Sequence, residues 1–367
     1  MPALQPFPYD TKSQSRAVHR TGFARSVGGR TLRCLGVSTP RLTWGDHRPP
    51  INRRMSTSPH GTTRVGVVLP SRETVIAGHK DARLLLDTAV AAERLGFDSV
   101  WTGDSLFHRP RFDPLSALAA VAARTERVSI GTAILLPALR HPLIVAQALA
   151  SIDLIARGRL IVGVGAGWIP LEFEAVGVPF AQRMGRTVET VELCRKAWRG
   201  EELDARYWDL PSVDVLPKPA QPGGPPVWMG GSGPLALKHA GTRFDGWIPT
   251  PPSPESFAAG WARVRTHAEA AGRDPASIVP AAYVTVNLRD DERETRSYAE
   301  QYYGMPLEVM REVQSYFVGD PSSCANWLQG FIDAGARHIA LRFATLSPIE
   351  QMEHAAEVII PAIRTRN

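Results

Sequence analysis

Val128-Ser-Ile-Gly-Thr-Ala-Ile134 and Leu160-Ile-Val-Gly-Val164 are short, mostly apolar runs without polar alternation, separated by a longer stretch of helical period. A run without alternation suits a strand buried on both faces, and strands joined through helices are the repeating unit of a parallel sheet. The same pattern predicts eight strands, at 65–69, 99–102, 128–134, 160–164, 227–229, 246–248, 282–288 and 338–343. Helices between them are marked by apolar spacings of three and four, as in Phe257-Trp261-Val264-Ala268-Ala271 and Ile349-Met352-Ala356-Ile359-Ile363. Asp113-Pro114, Ser253-Pro254 and Asp320-Pro321 each set a capping side chain before a proline suited to the first helical turn, and Gly96 and Gly272 follow helices where a left-handed residue is wanted. A doubly wound sheet explains the alternation too, but eight units with a closing helix favour a (β/α)8 TIM barrel, an α/β fold whose usual core is about 250 residues. Two long connections are expected as insertions after strands 4 and 7: the proline-rich 200–226 and 289–319.

Of 367 residues, 44% are apolar and 21% charged, enough for a large packed core. No stretch has the eighteen or so uninterrupted apolar residues of a membrane span, and no secretory signal opens the chain, so a cytoplasmic setting and no membrane partner are expected. The net charge of +6 would suggest nucleic acid, but residues 1–64 carry +9 and the remainder −3, so no nucleic-acid partner is expected. The basic opening, rich in Arg, Ser and Pro, reads as a disordered tail over 1–63, either a real extension or an over-extended start with translation from Met55, the favoured reading; the barrel is expected over 64–367. Cys34, Cys194 and Cys324 cannot form a disulfide framework. The latter two fall on apolar helical stripes (Met184-Val188-Val191-Cys194-Trp198 and Cys324-Leu328-Phe331) and are expected as small core hydrophobes.

Functional groups of a barrel stand where strands end. Gly163-Val-Gly165-Ala-Gly167 partly matches a dinucleotide fingerprint, but Trp168-Ile-Pro170 follows instead of a helix, so a small-residue strand end leaving room for a flat ligand or a neighbouring layer fits better. Gly230-Gly231-Ser232-Gly233-Pro234 leads from the fifth strand into a helix. It is either a backbone cradle for a phosphate or a tight strand-helix turn. Asp104 ends the second strand in Trp101-Thr-Gly-Asp104-Ser105; it could exchange a proton or satisfy loop N–H groups. Glu172, His108 and His141 share that ambiguity. Trp101, Trp168, Trp228 and Trp247 lie at strands and could wall a planar pocket, though ordinary packing explains any one. No lysine stands at a strand end, no HExxH or His/Asp cluster suggests metal and no GxSxG is present; a bound cofactor is the expected source of chemistry.

These residues resemble the bacterial luciferase-like family of flavin- and deazaflavin-dependent oxidoreductases over about 64 to 365. The resemblance rests on Ser99-Val-Trp-Thr-Gly-Asp104, Ile130-Gly-Thr-Ala-Ile134 with Arg140-His-Pro142, Gly158 to Gly167 with Glu172, Pro217-Lys-Pro219, and Val227-Trp-Met-Gly-Gly231 with Asp245-Gly246. It implies a barrel whose mouth holds the tricyclic ring of coenzyme F420 or FMN, a non-prolyl cis peptide between Ala133 and Ile134 supporting that ring, a phosphate cradle at Gly230, Gly231, Ser232 and Gly233, and a lid formed by the proline-rich connection. Asp104, Gly167 and Glu172 join the expected cofactor contacts. Asp104 aligns with the acid of an Asp-His pair in F420-dependent members, but Ser105 replaces the histidine, leaving Asp104 and then His108 as candidates for proton transfer. The reaction implied is hydride transfer between deazaflavin C5 and a small, mostly apolar organic substrate. An FMN-dependent monooxygenase using O2 and a non-catalytic F420-binding protein are the alternatives, and a homodimer is a family-level expectation.

Overall fold

Strands that are apolar on both sides need cover on both sides, and closing the sheet into a ring under a layer of helices supplies it. The computed structural model describes residues 62–289 and 291–365; the expected tail and the Met55 start lie outside the described residues, apart from Thr62 and Thr63. Among the described residues nine parallel strands form one sheet: β1 (Arg64–Val68), β2 (Ser99–Thr102), β3 (Ser129–Leu135), β4 (Leu160–Val164), β5 (Val227–Gly230), β6 (Gly246–Ile248), β7 (Val279–Asn287), β8 (Tyr316–Val318) and β9 (His338–Phe343). Their order is β6-β5-β4-β3-β2-β1-β9-β7-β8, and β6 also pairs with β7, so β1 to β7 and β9 close an eight-stranded barrel. All eight expected strands are present within a few residues.

β8 is the strand the sequence does not announce. Its three residues are half-buried and too few to carry a period. It pairs with the upper part of β7 (Thr285 opposite Tyr316, Asn287 opposite Val318), while β6 pairs only with its base (Gly246 opposite Val279, Trp247 opposite Pro280). The backbone N–H and hydroxyl of Ser315 both donate to Pro251 O, tying β8 to the segment after β6.

Large rings fill the lower barrel. Trp101 and Trp228 lie 5.2 Å apart, each edge-on to His338 at 5.4 and 5.3 Å, and the Trp101 indole N–H donates to Ser99 Oγ, which meets His338 Nε2 at 2.8 Å. Glycines face these rings: a Cβ on Gly131 would lie 2.5 Å from Trp101, and one on Gly246 2.5 Å from Trp228. Burial in this plug pushes the His338 imidazole down to about 3. Outside, Trp247 stacks on Phe257, 5.1 Å away. Trp101 and Trp228 are therefore the barrel's floor, Trp247 packs under a helix, and Trp168 alone of the four stands exposed.

The helix signals hold. Asp113, Ser253 and Asp320 accept from the N–H groups of Ser116, Ser256 and both Ser322 and Ser323, and Gly96 and Gly272 take φ of +84° and +69°. Cys194 and Cys324 are free and buried, and burial pushes the Cys194 thiol up to about 12. The proline-rich connection serves two ends of the barrel. At its start, Trp208 packs against His141 near the mouth. Its later part descends the outer wall, where Gln147 Nε2 donates to Leu216 O and Gln221 donates to both oxygens of Asp153 and to Leu160 O at the foot of β4. Only that first part has the placement of a lid; the prolines serve the descent.

Candidate active site

The sequence Gly131-Thr-Ala-Ile134 runs up the barrel wall and bends at the top. The Ala133–Ile134 peptide is cis, and the pairing of β3 with β4 shifts register between Thr132 and Leu135. The bend aims the Ile134 side chain across the mouth, where glycines make room: a Cβ on Gly165 would overlap Ile134 Cδ1, and one on Gly230 would lie 2.9 Å from its Cγ2. The small-residue end of β4 thus accommodates a neighbouring side-chain layer, one of the two readings open in the sequence. Gly167 takes φ +77° and turns the chain against Phe173.

At the end of β5, Gly231 takes φ +91°, and its carbonyl accepts the Trp247 indole N–H at 2.9 Å. The ten-residue helix Pro234–Arg243 follows, capped by Gly233 without any side-chain bond. Gly231, Ser232 and Gly233 are exposed, and a Cβ on Gly233 would meet nothing within 4 Å. The helix start therefore presents backbone to an open approach, which fits a phosphate held by main-chain N–H groups.

Asp104 has a more committed setting than the sequence suggests. Its side chain is 1% exposed; Oδ2 accepts from Arg140 Nη1 at 2.5 Å and from the Leu136 N–H at 2.9 Å, and Oδ1 accepts from Arg140 Nη2 at 3.0 Å. Arg140 also reaches Asp113 Oδ2 at 3.1 Å. Burial works against the Arg140 charge, but the hydrogen bonds it donates to the two carboxylates, with their charges, outweigh it and hold its pKa above the ordinary value. The Asp104 carboxylate thus fastens the end of β2 to the chain just beyond the Ala133–Ile134 bend.

Glu172 does similar work across the mouth. It is 1% exposed, and its Oε1 accepts from Ser105 Oγ at 2.5 Å and from the N–H groups of Phe107 and His108, both at 3.2 Å. Ser105 Oγ in turn accepts the Arg109 N–H at 3.1 Å. The serine standing in place of the family histidine is therefore spent on shaping the loop after β2. His108, at the exposed rim of that loop, keeps its imidazole outside these bonds.

A set of residues that the sequence analysis passed over also gathers here. Arg72 follows β1, Arg109 and Arg111 follow β2, and Arg342 is the penultimate residue of β9. They surround Tyr283 of β7 and Tyr302 and Tyr303 of the helix Glu292–Tyr303. A Cβ on Gly103 would run into Arg111 Nη1 and lie 3.5 Å from Ala133 O, which puts this guanidinium beside the β3 bend. The signal was available: along β9 a period of two puts His338, Ala340 and Arg342 on the inner face. Among the described residues, no cluster of His, Cys, Asp and Glu is suited to a metal and no helix is long and apolar enough to cross a membrane.

The F420-dependent glucose-6-phosphate dehydrogenase of Kineococcus radiotolerans is 30% identical over 317 residues, 76% of this chain and 93% of that protein. The enzyme of the same description from Amycolatopsis mediterranei is 37% identical over 46% of this chain, and the match spans about half (53%) of its length. Among solved structures, an F420-dependent secondary alcohol dehydrogenase bound to an F420-acetone adduct superposes with a TM-score of 0.71 at 23% identity, covering 83% of this chain and all of that one, a likeness of fold. Residues 63–317 match the luciferase-like monooxygenase family, and with a full-length relative at this identity the chain belongs to that family.

Proposed function

We propose that this chain is an F420-dependent oxidoreductase acting on a small organic substrate at the barrel mouth. The observation that carries the reading is the pairing of the Ala133–Ile134 shelf with the glycine turn Gly230 to Gly233, whose helix start has no side-chain cap bond, at the same end of the barrel, in a chain whose relatives are described as F420-dependent. F420, when bound, supplies hydride exchange at C5. Backbone N–H groups of the glycine turn would take its phosphate, and Ala133, Ile134, Gly167 and the loop held by Glu172 would seat the ring.

The remaining work belongs to side chains. Asp104 holds the shelf in place by fixing Leu136 and Arg140. His108, whose backbone is fixed by Glu172 while its imidazole stays exposed, takes or gives the proton that accompanies hydride transfer at a carbon bearing oxygen. The sequence reading expected a mostly apolar substrate, but the arginines and tyrosines around the mouth offer a polar lining instead.

Titration of the purified protein with F420 and with FMN, followed by fluorescence, tests the cofactor; tighter binding of FMN would refute it. Consumption of reduced or oxidised F420 with a carbonyl and alcohol panel separates an enzyme from a binding protein. His108→Gln should lower kcat by about 10²-fold or more, the usual contribution of general acid–base catalysis, and remove one limb of the pH profile; an unchanged profile would clear His108 of the role.

A further inference from the structure

Positive groups in the mouth outnumber the carboxylates that face them. The guanidinium centres of Arg342, Arg72 and Arg111 lie 4.2, 5.2 and 5.9 Å from the centre of the Tyr302 ring, and Arg109 stands 4.9 Å from Tyr303. Among the described residues none of the four arginines forms an ion pair, and the nearby Glu73 carboxylate is buried and accepts the Tyr298 hydroxyl at 2.5 Å. Several donors are left over. Arg342 is 5% exposed with Nε unpartnered, Tyr283 is 6% exposed with its hydroxyl unpartnered, and Arg72 Nη1 and the Tyr316 hydroxyl are likewise buried without an acceptor. Burial also holds Arg72 and Arg109 below the ordinary arginine pKa, with neighbouring guanidinium charges adding to the effect.

Packed cations with spare donors are what an oxyanion completes: guanidinium forks and phenol hydroxyls match its lone pairs, and its charge offsets their mutual repulsion. The cofactor's own phosphate does not account for the cluster. The glycine turn lies at the end of β5, and β1 is four places away in the eight-membered ring, on the opposite wall. The anion that meets these arginines is therefore not the phosphate held by that turn. We infer that Arg72, Arg109, Arg111 and Arg342, with Tyr283, form the binding site for an oxyanion group, phosphate or carboxylate, carried by the substrate. This rests on the mouth being the site of hydride transfer. It makes the arginines determinants of specificity, selecting substrates with an acidic group over neutral ones of the same shape.

The test is calorimetric titration of the full-length protein saturated with F420, so that the glycine turn is filled, using inorganic phosphate in one arm and malonate in the other. Saturable binding of either is expected, and the arm that binds identifies the acidic group. Arg342→Gln and Arg109→Gln should each weaken that binding tenfold or more while F420 affinity, read by fluorescence, stays within twofold. Arg109, half-buried, serves where the buried Arg342 variant fails to fold, and Tyr283→Phe removes a single donor. Absence of saturable binding in both arms, or binding unchanged in Arg109→Gln and Arg342→Gln, overturns the inference. If wild-type protein does not take up F420, the functional reading fails separately, and the same anion titration on the unloaded protein and the Arg342 variant still reports on the cluster.

Discussion

Replacing Asp104 with Asn tests whether this carboxylate positions the shelf or handles protons. Arg140 is 15% exposed and gives two hydrogen bonds to Asp104, so neutralising the partner strands a mostly buried guanidinium. Breaking such a pair costs about 3 to 5 kcal/mol. Asn retains an acceptor for the Leu136 N–H and Asp113 still faces Arg140, so about 3 kcal/mol is expected, roughly a 5 °C fall in Tm for a barrel of some 300 residues. Urea unfolding followed by tryptophan fluorescence reads the loss directly. F420 affinity should weaken with it because the bend at Ala133–Ile134 loses its tether, while both limbs of the pH–rate profile remain. The double variant Asp104→Asn with Arg140→Met should regain most of the stability, since the stranded charge goes with it. The reasoning is refuted if Asp104→Asn is as stable as the parent yet loses activity a thousandfold together with one limb of the profile; the carboxylate would then be the proton-transfer group.

Three further predictions concern the barrel itself. The His338 imidazole is held neutral down to about 3, whereas the unfolded chain takes up a proton below about 6.5, so stability should fall by about 1.4 kcal/mol per pH unit as pH drops between those values and be unaffected by this group above them. Urea midpoints at pH 7 and pH 5 should show a drop that His338→Gln lessens; an equal drop in the variant would show that His338 is not its source. Gly165→Ala should cost about 1 to 3 kcal/mol by overpacking Ile134, and Ile134→Val, which removes the obstructing Cδ1, should restore much of it. Gly163→Ala should not be rescued by any side-chain change at 132, because the obstacle there is the Thr132 carbonyl oxygen; a rescue by such a change would disprove the backbone clash.

The barrel was legible because its signals are local and redundant. Strand runs without alternation, Asp-Pro and Ser-Pro caps and glycine stops each reflect a few residues' own conformational needs, and they agree along the chain. The glycine turn was legible in its own residues and the shelf through resemblance, while the partners of Asp104 and Glu172 were not. Asp104 and Arg140 are 36 residues apart and Ser105 and Glu172 are 67 apart, and no short-range pattern tells a proton donor from a tether. The arginine cluster escaped for a related reason. Arg72, Arg109 and Arg111 lie outside any periodic run, and although the period of β9 turns Arg342 inward, only closure of the ring brings β9 against β1 and gathers them around Tyr302 and Tyr303. β8 escaped because three half-buried residues carry no period of their own.

That short strand changes the shape of the vessel. Below, β7 meets β6 directly; above, the two part and β8 is let in alongside β7, so the rim has one more stave than the base and the vessel flares on the side of Tyr316. The extra stave hangs from an excursion between β7 and β9 that takes no part in the lower hoop. Its length and composition can drift without unseating the floor of Trp101, Trp228 and His338. The bore at the rim can thus be retailored for a different guest while the base of the vessel stays the same.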